Sequence, residues 1–157
     1  MKNKTFYSHG KLLISGEYVV LDGALSLAIP TKYGQSLIIE AIDEPVLYWT
    51  SFDENKNIWF TETFYLNEKN YLKQTSDNVV TNRLIQIFNA AKILNPDFLN
   101  NGNGFKIETH LEFPKNWGLG TSSTLISNIA NWANVDAYLL LENTFGGSGY
   151  DLSLIHI

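Results

Sequence analysis

The chain has 157 residues, 45% of them hydrophobic and 17% charged, with a formal net charge of -5. This composition excludes a disordered protein and is enough for one domain with a sizeable core. The acidic balance leaves no basic surplus to neutralise a nucleic-acid backbone, and with no cysteine the chain holds neither disulfides nor thiolate metal sites.

From Thr5 to Glu40 the sequence reads as strands and tight turns. GKLLISGEYVVLDG has an apolar run, a Gly16-Glu17 turn, a second apolar run and an Asp22-Gly23 turn, the last a hairpin signal. SLAIPTKYGQSLIIEAI continues in strand style, with Pro30 restricting where it can pair. His9, Gly10, Lys11 and Glu17 interrupt the stretch where a signal peptide needs an apolar core. No run approaches the ~20 apolar residues of a membrane helix. The expectation is a cytoplasmic protein without membrane or nucleic-acid partners.

Residues 46–66 predict a hairpin, two aromatic and β-branched runs flanking DENKN. Its Trp and Phe residues suit either core packing or a stacking platform for bases. With only Lys56 interleaved as a basic residue, packing is the expectation. SDNVVTNRLIQIFNAAKILNPDFL predicts a helix, because Val79, Val80, Leu84, Ile87, Phe88 and Ala91 recur at spacings of three and four before Pro96. NNGNG follows as a polar loop, GFKIETHLEF as an alternating strand, and Thr121 to Ala133 as a second helix. VDAYLLLENTF reads as a further helix and GGSGYD as a glycine-rich turn. Strands first, then mixed helices and strands, predict an α+β fold with a mixed or antiparallel sheet packed with helices.

PKNWGLGTSST, residues 114–124, joins the alternating strand to the second helix. A helix N-terminus offers unpaired N–H groups and partial positive charge, and Gly118 and Gly120 let backbone approach a polyphosphate. Thr121 and Ser122 suit either a helix cap or an anion site, and a serine hydroxyl here could ligate Mg²⁺. The spacing is neither a Walker A loop nor a dinucleotide fingerprint. Lys11 stands beside an apolar strand, where a solvated charge and a catalytic cation are both open readings. Asp151, after GGSGY, is a turn former or a group that accepts a proton from a substrate hydroxyl.

Together, in this order, the segments resemble the GHMP kinases. The N-terminal Gly-Lys…Gly-Glu segment stands here as Gly10-Lys11…Gly16-Glu17. The phosphate loop stands as Pro114, Gly118, Leu119, Gly120, Thr121, Ser122 and Ser123, with Thr for the first Ser of the family pattern. Ser148, Gly149, Tyr150 and Asp151 match the Ser-Gly-x-Asp segment of the mevalonate kinase branch.

The resemblance spans Gly10 to Asp151 and implies the N-terminal kinase domain, of the ribosomal protein S5 domain 2 type. It implies that the loop binds ATP and Ser122 helps to hold Mg²⁺. It further implies that Lys11 stabilises the transferring phosphoryl group and that Asp151 acts as base toward, or orients, the accepting oxygen of a small-molecule substrate. Glu17 then positions Lys11 or the substrate, and Ser148 and Gly149 are placed at the substrate. The branch has a second Mg²⁺ ligand upstream of Asp151. Glu142 is the nearest candidate, with a solvated helix carboxylate as its other reading, and Leu140 stands at the family's spacing.

Family members run to about twice this length, so residues 1–157 are expected to be a truncated N-terminal domain, and LSLIHI departs from the family pattern. An apolar face left without its second half would let two copies associate as a homodimer. The expected activity is phosphoryl transfer from ATP to a small metabolite, mevalonate or phosphomevalonate. The alternatives are a catalytically silent nucleotide-binding or assembly module, or an S5-like nucleic-acid-binding domain.

Overall fold

The computed structural model describes residues 3–15, 27–66, 72, 78–117 and 120–144, giving the backbone without side chains at 11–15 and 27–29. Strands β1 (Lys4–Ser15) and β2 (Leu27–Ile42) pair antiparallel, from Lys4 opposite Ile39 down to Ser15 opposite Leu27. The Gly16-Glu17 and Asp22-Gly23 turns lie outside the described residues.

Strands β3 (Val46–Phe52) and β4 (Ile58–Tyr65) form the second antiparallel pair, the hairpin expected from the sequence. Its turn is closed by Asp53, whose Oδ1 accepts from the N–H groups of Asn55 (3.0 Å) and Asn57 (2.9 Å). Strand β5 (Gly104–Leu111) runs antiparallel to β2 and parallel to β3, which gives the order β1-β2-β5-β3-β4. Pro30 pairs only toward β1, because β5 accompanies β2 from Gln35 to Ile42. The missing N–H of Pro30 therefore breaks no ladder toward β5.

Period-two alternation decides what the sheet buries. Leu37, Ile39, Leu47, Trp49, Phe64 and Ile107 are buried on one face. Tyr48 and Lys106, of the other parity, are exposed on the opposite face.

Among the described residues three helices cover the apolar face: α1 (Val79–Leu94), α2 (Thr121–Ala133) and α3 (Ala137–Thr144). Helix α1 is capped by Asn78, whose side chain accepts from the N–H groups of Val80 and Thr81, and it ends at Asn95, one residue before Pro96. Helix α2 packs on β1 and β2 and touches both other helices.

An aromatic cluster locks the layers. Phe88 of α1 meets Trp49 of the sheet edge-on at 5.8 Å and Trp132 of α2 at 5.9 Å, while Trp132 also abuts Phe98 and Phe105. Such pairs add about 0.5–1.5 kcal/mol each beyond the area they bury. The result is an α+β fold with a mixed five-stranded sheet. Among the described residues no helix is long and apolar enough to cross a membrane.

Candidate functional site

The segment entering α2 is anchored before it reaches the helix. Glu112, one residue beyond β5, accepts from Gly34 N–H at 2.8 Å and from the Tyr7 hydroxyl, tying this end of β5 to β1 and β2. A Cβ at Gly34 would lie 2.2 Å from the Ser8 carbonyl oxygen, so only glycine lets the strands approach this closely. Burial, followed by the bond to Glu112, pushes the Tyr7 hydroxyl well above the ordinary tyrosine range. Phe113 is fully buried, and Lys115–Trp117 then makes a single 3₁₀ turn, with Trp117 N–H donating to Pro114 O at 3.1 Å.

Helix α2 begins with Gly120 at φ +81°, a left-handed conformation that glycine adopts without the strain a Cβ brings. No side-chain hydrogen bond caps this end among the described residues. Gly120, not Thr121 or Ser122, takes the cap position, and among the described residues the buried Thr121 Oγ1 atom has no partner. Without a side-chain cap among the described residues, and with a half-dipole behind it, this helix end is positive and donor-rich.

This helix end opens on a cavity of about 440 Å³ between the sheet, α1 and α2. Trp49 and Thr109 of the sheet, Val80 and Leu84 of α1, and Ser122 and Leu125 of α2 line it. Trp59 of β4 forms part of the wall, and its buried Nε1 has no hydrogen-bond partner among the described residues. The Lys115 ammonium lies 3.8 Å from the centre of the Trp59 ring, clipping the segment ahead of α2 to the β3–β4 hairpin. An apolar chamber beside a positive helix end has the build of a site for a flat heteroaromatic group bearing an anionic tail.

Of the predicted loop residues, Thr121 and Ser122 line the cavity, with Gly120 and Ser123 next to them in the chain, while Pro114 opens the 3₁₀ turn ahead of the helix and is not a lining residue. Gly118 and Leu119 lie outside the described residues, as do Glu17, Ser148, Gly149 and Asp151. The Lys11 backbone sits on β1 opposite Pro30, just past a register shift, on one of the two strands that α2 packs against. Glu142 is exposed on α3, while Leu140 is fully buried. Among the described residues no group of three His, Asp or Glu is placed to hold a metal.

Sequence reasoning missed Trp59 as a lining residue, and it missed the buried polar residues Ser8, Gln35, Thr124 and Asn128. One signal was present. Thr121, Thr124 and Asn128 recur at spacings of three and four, a polar stripe down the side of α2 that faces the sheet.

No protein-family model and no curated protein matches the chain. Solved structures do. Mevalonate kinase of Methanococcus jannaschii aligns with 98% of this chain and 51% of its own, at 20% identity and a TM-score of 0.71. Streptococcus pneumoniae phosphomevalonate kinase, solved with phosphomevalonate and AMPPNP, aligns with 97% of this chain and 46% of its own, at 16% identity and 0.61. Lactococcus lactis galactokinase, complexed with galactose, aligns with 99% of this chain and 39% of its own, at 16% identity and 0.64. The chain therefore spans about half the length, or less, of the solved structures it matches. What this likeness establishes is the fold: the chain has the α+β architecture of the N-terminal part of the GHMP kinases.

Proposed function

We propose that the chain is the nucleotide-binding part of an ATP-dependent kinase acting on a small metabolite. The observation that carries the reading is the glycine-started end of α2, uncapped among the described residues, opening on an apolar cavity whose wall holds an indole N–H unpartnered among them. The base of ATP fits the cavity, with Trp59 Nε1 donating to a ring nitrogen. The phosphates fit the first-turn N–H groups of α2.

In this reading the acceptor is a hydroxyl or phosphate oxygen, and mevalonate or phosphomevalonate is the substrate proposed. For a hydroxyl acceptor, a new oxygen–phosphorus bond forms as the bond from the γ-phosphorus to the bridging oxygen breaks. The hydroxyl proton passes to Asp151, and ADP leaves. Lys11 stabilises the transferring group. Glu17, Ser148 and Gly149 are the residues proposed at the substrate.

The Ser122 hydroxyl, exposed in the first turn, suits Mg²⁺, which keeps several waters and takes few protein oxygens. Glu142 is the second ligand proposed. Bound Mg²⁺ supplies neutralisation of the charge on the phosphate oxygens.

Titration of the chain with MgATP, followed by tryptophan fluorescence, tests the reading. Saturable binding is expected, and Trp59→Leu should weaken it roughly 5–30-fold, the equivalent of about 1–2 kcal/mol for one desolvated donor and its ring contact. Phosphoryl transfer to mevalonate or phosphomevalonate then identifies the enzyme, whereas binding without transfer identifies a silent nucleotide module. No binding of MgATP at millimolar concentration overturns the proposal.

A further inference from the structure

Beneath the first turn of α2 lies a buried polar chain that packing does not require. Gln35 of β2 is 3% exposed, with fully buried Leu37 two residues along on the same face. Its Nε2 donates to Thr121 O at 3.0 Å and to Thr124 Oγ1 at 2.7 Å, and Thr124 Oγ1 donates to the same Thr121 O at 2.9 Å. One turn further along α2, Asn128 Nδ2 donates to the backbone oxygen of Gln35 at 2.9 Å, and Asn128 Oδ1 accepts from Ser8 Oγ at 2.7 Å.

Hydrogen bonds therefore run unbroken from β1 through β2 into the helix end that faces the cavity, which Gln35 also lines. Apolar side chains at these positions would fill the same space. Apolar contact has no preferred direction, whereas hydrogen bonds fix angle as well as distance. Two donors converge on one carbonyl, that of Thr121. The amide joined to this carbonyl is Ser122 N–H, one of the first-turn donors left without a side-chain cap among the described residues. A carbonyl that accepts hydrogen bonds makes its own N–H a stronger donor, because neighbouring bonds polarise one another in a low-dielectric interior.

We infer that Gln35 is a positioning residue for anion binding, holding the Thr121–Ser122 peptide in place and polarising it so that Ser122 N–H addresses a phosphate group. This rests on the nucleotide reading above and adds to it a residue on a different strand from the phosphate loop. Gln35→Glu keeps the side-chain shape but replaces the donor with an oxygen that repels Thr121 O. Gln35→Met keeps the length and removes the bonds without adding charge.

The test compares affinity for MgATP with affinity for adenosine, which carries the base and no phosphate, in wild type and both variants. Thermal melting serves as the check on folding. Gln35→Glu should weaken MgATP at least tenfold and Gln35→Met about threefold, in each case by a clearly larger factor than it weakens adenosine. If Gln35→Glu fails to fold, Gln35→Met carries the comparison. Equal losses for ATP and adenosine would show a merely structural role and overturn the inference, as would unchanged ATP affinity in the folded variants. Wild type that binds adenosine or nothing, but not ATP, overturns the nucleotide reading and this inference together. Wild type that binds ATP beside an indifferent Gln35→Met overturns this inference only.

Discussion

Removing the Asn128 side chain should be among the most damaging single changes outside the aromatic core. Asn128 is fully buried and makes two hydrogen bonds, to Ser8 Oγ at 2.7 Å and to the Gln35 carbonyl at 2.9 Å. Asn128→Ala strands both partners, and a buried group left unpaired costs about 1–3 kcal/mol, so the sum is about 2–6 kcal/mol. That is a large share of the roughly 5–15 kcal/mol that holds a domain together. Ser8→Ala strands only Asn128 Oδ1 and should cost about 1–3 kcal/mol.

The double variant separates contact from coincidence. In the double variant neither the Ser8 hydroxyl nor Asn128 Oδ1 is left to strand, so the combined loss should fall short of the sum by about 2–6 kcal/mol. Urea unfolding of the four proteins measures this, provided the slopes agree. Losses that add to within about 0.5 kcal/mol would mean that the two side chains do not exchange a buried hydrogen bond.

Phe88→Ala removes the ring shared by Trp49 and Trp132 and should cost about 3–5 kcal/mol, lowering the melting temperature by about 6–20 °C in calorimetry. A fall under 2 °C would show that the cluster does not hold α1 to the sheet. Alkaline titration addresses Tyr7. Its raised folded-state pKa means the unfolded chain releases the proton first, so this contribution to stability is complete below about pH 10 and is lost as pH climbs further. Absorbance at 295 nm should find Tyr7 among the last tyrosines to ionise. Tyr7→Phe should remove part of that late phase, leaving the part due to Tyr48, which is raised by its bond to Glu44. An unchanged curve would refute the Tyr7–Glu112 bond.

Much of the architecture was legible because it is written locally. The β3–β4 hairpin follows from two aromatic and β-branched runs around the polar DENKN, α1 from apolar spacings of three and four ahead of Pro96, and α2 from the loop of glycines and hydroxyls that leads into it. The position of β5 was not legible, since its partners lie 58 or more residues away and leave no mark on its own alternation. Gln35 hid for a related reason. A polar residue after Gly34 looks like a strand end in solvent, and its burial depends on α2, which begins 86 residues later. Trp59 was read as packing because area alone does not separate a core ring from one that walls a cavity.

The central place of β5 also dictates how the protein can be made. The β1–β2 and β3–β4 pairs precede it in the chain, yet in the sheet it lies between them and pairs with both. During synthesis both pairs emerge with one inner border bare, and bare borders recruit strands from other molecules. Until residue 111 has left the ribosome, the nascent polypeptide thus carries two sticky seams that only its own later sequence can close, and a holdase chaperone acting in that interval would govern its yield.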